Sequence, residues 1–203
     1  MKIAIVGATG NVGRRLVAEA LQRGHHVTAI ARDTSALAAS PQLQAVDADA
    51  QVPEVLAAAL AGHDAVISSV AFRMVKPEPL IDAVRRSGVA RYLVVGGAGS
   101  LEVAPGVALV ETPGFPPPYK EEAQAGKAFL DVLRGVRDLE WTMLSPSALF
   151  VAGERSGSFR LGDDALLTAA DGKSWISYED YAVAMLDEIE TPRHVRRRFT
   201  VGY

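Results

Sequence analysis

The chain has 203 residues, of which 49% are hydrophobic and 22% charged, and a formal net charge of -3. That length supports one well-buried core, and the charge balance offers nothing to nucleic acid or to an anionic membrane. The absence of cysteine excludes disulfides, thiolate catalysis and cysteine-bound metals.

Ile3 to Val6 is wholly apolar and ends at a glycine-rich turn, which predicts a strand buried on both faces. Asn11 to Arg23 places Val12, Leu16, Val17, Ala20 and Leu21 on one helical stripe, stopped by Gly24. Strands follow at Val27–Ala31 and Leu43–Val46, a helix near Pro53–Ala61, a strand at Ala65–Ser69 and a helix near Pro79–Ser87. Arg91–Val95 reads as another strand, followed by a long loop, a helix around Tyr119–Leu133 and a strand at Trp141–Leu144. A polar stretch with Gly153, Gly157 and Gly162 then precedes a helix near Tyr178–Ile189, and Arg198–Val201 closes as an added strand. Alternation of this kind predicts an α/β fold: a single Rossmann-like domain over residues 1–203, a doubly wound parallel sheet with helices on both faces and a small C-terminal extension.

His25, His26, His63 and His194 are scattered without metal-ligand spacing, so no metal site is expected. The cluster Arg193-His194-Val195-Arg196-Arg197-Arg198 follows the acidic Asp187, Glu188 and Glu190 and reads as a solvated face. Met1 and Lys2 lead into an apolar run of four residues, too short for a signal peptide or membrane span; a cytoplasmic location is expected.

GATGNVG, residues 7 to 13, lies between the first strand and the first helix, where a glycine motif has a phosphate-binding meaning. Gly7 permits the turn, Gly10 lets the backbone approach a pyrophosphate and Gly13 lets helix and strand pack closely. The helix N-terminus supplies free N–H groups to the phosphates. The second strand ends in Arg32, whose guanidinium suits a ribose 2′-phosphate and favours NADP(H); Asp33, the next residue, would instead serve NAD(H). Arg14 and Arg15 either extend that phosphate pocket or are solvated. Asp47, with Ala48 beside it, is placed for the adenine amino group, and Asp49 competes for that role. Ser68, Ser69, Val70 and Ala71 either leave room for a ribose and nicotinamide or only turn a corner.

These residues resemble the atypical short-chain dehydrogenase/reductases of the NmrA-like and biliverdin-reductase-B-like groups, and most specifically the small bacterial proteins labelled NADH-flavin reductases. The resemblance spans the chain and rests on MKIAIVGATGNVG, AGHDAVISSVA, YLVVGGAGSLEVAPG, PYKEEA, WTMLSPSALF, ISYEDYAVAMLDEIE and RFTVGY. It implies an NAD(P) crevice formed by Gly7, Thr9, Gly10, Asn11, Val12 and Gly13, by Arg32, Asp47 and residues 68 to 71, and by Gly97 within 96–100 and Ser145 and Pro146 within 144–149. It also implies hydride transfer to a flavin or similar flat acceptor.

Many short-chain reductases use a serine, a tyrosine and a lysine four residues beyond the tyrosine. Here the residue four beyond Tyr119 is Ala123; Lys120 is rotated about 100° around the helix, and Lys127 lies about 12 Å along it. A carbonyl substrate needs a positioned proton donor, whereas a reduced flavin or quinone delocalises charge and takes its proton from water. The missing pair therefore points to a flat acceptor and away from an epimerase or dehydratase, while also permitting a non-catalytic NAD(P) sensor. Ser100 and Tyr119 remain the candidate catalytic groups. Phe72, Met74, Phe115 and Phe150 either contact a flat ring or pack in the core, core packing being the commoner role for such residues; the acceptor region is built from loops around 72–78, 99–119 and 146–165. Trp175 reads as core or interface. FMN or FAD is expected as a substrate rather than a resident cofactor, with the protein a monomer or homodimer.

Overall fold

A computed structural model describes residues 1–38 and 40–203. In chain order the first half runs β1 (Lys2–Val6), α1 (Asn11–Gln22), β2 (His26–Ala31), β3 (Leu43–Asp47), α2 (Pro53–Leu60), β4 (Ala65–Ser68), α3 (Pro77–Ser87) and β5 (Arg91–Val95). The second half runs β6 (Glu102–Ala104), β7 (Val107–Ala108), α4 (Pro117–Arg134), β8 (Glu140–Pro146), β9 (Leu149–Val151), β10 (Arg160–Gly162), β11 (Trp175–Ser177), α5 (Tyr178–Glu190) and β12 (Arg197–Gly202).

The main sheet has the order β3-β2-β1-β4-β5-β8-β12-β10. Every neighbouring pair is parallel except β10, which runs antiparallel to β12 on the edge. The order reverses between β1 and β4, so the carboxyl ends of these strands open a crevice beside the glycine turn. Alternate residues of each strand feed two cores. Val66, Tyr92, Val94, Trp141 and Met143 pack under α2, α3 and α4 with Leu56, Leu80, Val84, Phe129 and Leu133. Ile3, Ile5, Leu93, Leu144 and Phe199 pack under α1 and α5 with Leu16, Val17, Tyr181, Met185 and Leu186. Helices on both faces explain why the strands read as apolar runs rather than alternating ones.

The Rossmann-like reading holds, with small shifts at element ends. Both α3 and α4 begin two residues earlier than the hydrophobic periodicity indicates, at Pro77 and Pro117. Proline suits a first helical turn because its missing N–H has no intrahelical acceptor there. The short pairs β6–β7 and β9–β11, and the edge strand β10, lie in stretches read as loops. With two or three residues each, they carry too little pattern to be seen in sequence. Among the described residues no helix is long and apolar enough to cross a membrane.

The basic cluster is not a uniform solvated face. Arg198 is buried on β12 and pairs with Asp164, and the His194 ring stacks on Phe199 while its Nδ1 lies 2.8 Å from Glu188. Strand alternation turns Arg198 inward, and a buried guanidinium persists only where such a partner meets it.

Candidate functional site

The glycine turn is held by its own backbone. The Gly7 and Ala8 N–H groups donate to the Ile30 carbonyl at 2.8 and 3.2 Å, and Gly10 N–H donates to Gly7 O at 3.1 Å. Gly7 has φ of +82°, and a side-chain carbon there would stand 2.1 Å from the Ser69 carbonyl oxygen. Only glycine meets both conditions. α1 starts without a side-chain cap and without an acidic residue in its first turn. The N–H groups of Asn11, Val12 and Gly13 therefore have no intrahelical acceptor and face outward with the positive end of the helix dipole. This is a cradle for a pyrophosphate, and the residues present fit it.

Beside the turn lies a crevice of about 330 Å³. It is lined by Gly7, Thr9 and Gly10 of the turn and, on the β2 and β3 side, by Arg32, Asp33, Ala48, Asp49 and Gln51. Ser69, Val70, Ala71, Met74 and Val75 form the opposite wall. Arg32 is exposed and makes no ion pair among the described residues. Asp33 is committed locally: the Ser35 hydroxyl and N–H hold its carboxyl below the usual range. Arg14 folds over the turn, donating to Thr9 O and Gly10 O at 3.2 and 3.3 Å. Arg15 is drawn away to Glu179 on α5 at 2.9 Å.

Four expected crevice residues sit elsewhere. Asp47 does not line the crevice; its Oδ1 accepts from the Thr34 N–H and hydroxyl at 2.9 and 2.7 Å, and the competing Asp49 takes the lining position. Ser68 is buried, and its hydroxyl lies 2.9 Å from that of Tyr92 inside the core, because it is the last inward residue of β4. Ser145 and Pro146 are buried at the end of β8, with the Ser145 hydroxyl unpartnered among the described residues and lying beside Gly96. Gly97 is open: apart from its chain neighbours, no atom of the described residues lies within 4 Å of where its side-chain carbon would stand. Ala50, Gln51 and Val75 were not anticipated, since small and apolar residues in loops carry no chemical signature.

The candidate catalytic groups do not meet. Ser100 accepts a hydrogen bond from Arg198 at 3.3 Å, whereas Tyr119 is 68% exposed at the start of α4. Lys127 pairs with Asp131, one turn further along the helix. At Ala123, where a reductase lysine would stand, the helix is pressed onto the turn after β5: a side-chain carbon on Gly99 would come 2.6 Å from the Ala123 Cβ. The position is half-buried and holds a methyl group, so no ammonium stands one turn beyond Tyr119. Of the aromatics, Phe72 packs on Phe129 with ring centroids 5.1 Å apart, and Phe150 packs between Tyr178 and Tyr181. Met74, 51% exposed on the crevice wall, remains free for contact with a ligand. Trp175 packs on Tyr203 at 4.3 Å.

An open α/β sheet, an uncapped helix behind a glycine turn and an alanine one turn beyond Tyr119 define a dinucleotide-binding protein of the short-chain reductase type without the usual tyrosine–lysine pair. Residues 7–192 match the NAD(P)H-binding family model, and the chain belongs to that family. It is 47% identical to a Burkholderia pseudomallei protein of known structure, provisionally described as exported, with a TM-score of 0.91 and all of both chains covered. A Bacteroides thetaiotaomicron structure provisionally described as an epimerase is 38% identical, with a TM-score of 0.95 over 100% of this chain and 96% of that one. A Streptococcus pneumoniae structure provisionally described as an NADH-flavin reductase is 34% identical, with a TM-score of 0.87 over 100% and 99%. These descriptions differ on activity and share the fold, so activity has to be argued from the site.

Proposed function

We propose that the protein is an NADPH-dependent oxidoreductase that passes hydride to a free flavin or a quinone-like flat acceptor. The observation that carries this reading is that half-buried Ala123, packed against Gly99, stands where a proton-relay lysine would. A carbonyl reductase loses its means of protonating an alkoxide in such a site, while a flavin or quinone needs only ring-to-ring proximity. The bound nicotinamide supplies the hydride; the chain supplies orientation. The free Arg32 lining the crevice, with Asp33 engaged by Ser35, supports a 2′-phosphate and hence NADPH. Flavin acts as a substrate that leaves after turnover. The protein works in the cytoplasm as a monomer or homodimer.

The test is NADPH oxidation, followed by absorbance, with FMN, FAD and a soluble quinone in turn. Turnover with a flat acceptor and none with aldehydes or ketones is expected. Tight NADPH binding without turnover on any acceptor would overturn the enzyme reading in favour of a redox sensor of the same fold.

A further inference from the structure

We propose that Glu122 is a positioning residue for the adenosine side of the crevice, acting as a latch on the loop after β4. The inference rests on the crevice as a nucleotide site but not on the identity of the acceptor. Glu122 lies in PYKEEA on α4, outside the crevice. Its two carboxylate oxygens accept from consecutive backbone N–H groups across the fold, Phe72 at 2.7 Å and Arg73 at 3.1 Å. Two adjacent N–H groups converging on one carboxylate form an anion nest, and bonds to a charged acceptor are the stronger kind.

The latched loop is a crevice wall, and it lines the same crevice as Arg32, Ala48 and Asp49, so it meets the adenosine half rather than the nicotinamide or acceptor ring expected of residues 68–78. Ala71, Met74 and Val75 flank the two latched residues and line the crevice, and Met74 N–H closes the turn onto Ala71 O at 3.0 Å. The stretch from Ala71 to Met74 has little else holding it, since Ala71, Arg73 and Met74 are exposed. It is flanked by Ser69, whose N–H donates to Val6 O at 2.8 Å, by Val70 on the core and by buried Val75. Within it, the Arg73 guanidinium lies 3.9 Å from Glu122, and Phe72 meets Phe129 and lies so close to Gly126 that a side-chain carbon there would approach its ring to 2.9 Å. Glu122, Gly126 and Phe129 are spaced four and three residues apart, so one face of α4 grips the loop by a carboxylate, a gap and a ring. The helix that carries the proton relay in other reductases here carries the support for the cofactor wall. Without the carboxylate the two N–H groups turn to water and the wall loosens, while both cores stay intact.

The experiment titrates AMP and 2′,5′-ADP, the adenosine halves of the two nicotinamide dinucleotides, and nicotinamide mononucleotide against the full-length protein, Glu122→Gln and Glu122→Ala. Thermal unfolding and hydrogen exchange of the Phe72 and Arg73 amides accompany the titrations. Glu122→Ala is expected to weaken the tighter adenosine ligand about five- to twentyfold, the loss of one or two charge-assisted bonds. Glu122→Gln, whose amide oxygen still accepts from one N–H, should fall between. Nicotinamide mononucleotide affinity and the unfolding midpoint should hardly move, and the two amides should exchange faster. Adenosine-ligand affinity within about twofold of the unaltered protein in Glu122→Ala would overturn the latch. So would equal losses for both kinds of ligand with a lowered unfolding midpoint. If the protein oxidised no NADPH, the binding pattern would still uphold the latch. If it bound neither adenosine ligand, the crevice reading and the latch would fall together.

Discussion

A side-chain carbon at Gly13 would stand 2.0 Å from the carbonyl oxygen of Gly7 and 2.9 Å from the Ala8 Cα. Both obstacles are backbone, so neither can rotate away. Gly13→Ala is expected to move α1 off the turn and to weaken NADPH binding by at least about 2 kcal/mol, the scale of overpacking in a tight contact. Gly10→Ala meets only Gly7 O at 3.3 Å and should keep the fold with a smaller loss of affinity. Fluorescence titration with NADPH, alongside unfolding curves, separates the two; equal behaviour of both variants would mean that the close helix–strand approach is not what the motif serves.

Arg32→Ala removes the free guanidinium lining the crevice. Loss of a bidentate phosphate contact should raise the Kd for NADPH about ten- to a hundredfold while changing that for NADH less than about twofold. Calorimetry on both dinucleotides reads the split. Matching losses would show that Arg32 does not read the 2′-phosphate.

Tyr119→Phe and Ser100→Ala address the hydroxyls. A general acid contributes on the order of a hundredfold or more, so its removal would be unmistakable. With a flavin acceptor, each variant is expected to retain kcat within about threefold, because the Tyr119 side chain stands in solvent and Ser100 is engaged by Arg198. A collapse of kcat in either variant would restore a proton-relay mechanism.

Acid stability should depend on Glu19, a buried carboxylate on α1. Arg155 donates to it at 2.7 and 2.8 Å and Arg23 at 2.7 Å. Arg155 holds its carboxyl below the ordinary value of 4.5, opposed by burial and reinforced by Arg23. With the folded value below the unfolded one, the stabilisation is complete above about pH 4.5 and is lost as pH falls through the folded value. Urea midpoints between about pH 3 and 7 should decline on the acid side, and Glu19→Gln should be less stable at neutral pH with a flatter acid decline. An unchanged acid slope in that variant would assign the decline to other carboxylates.

The strand–helix alternation, the glycine turn and the missing tyrosine–lysine spacing were legible because each is a local pattern: apolar runs, a motif within seven residues, a helical period. Arg32 was legible as a position at a strand end, and it lines the crevice. Asp47 was not, because its role depends on Thr34, brought to it by the pairing of β2 with β3. Ser68 turned inward to Tyr92 for a similar reason, the register of β4 against β5. Arg198 looked like one more surface arginine until β12 took its place between β8 and β10 and turned it toward Asp164.

The stretch PYKEEA divides the two kinds of knowledge. By itself the sequence determined that its helix cannot place a lysine one turn beyond Tyr119, since helical periodicity puts Ala123 there. Only the tertiary structure decided what the stretch does instead. Ala123 is pressed against Gly99 after β5, and Glu122 meets the amides of Phe72 and Arg73 after β4. Residues 50 positions apart become partners only when α4 packs across the sheet, and no local periodicity encodes which loop a carboxylate will find.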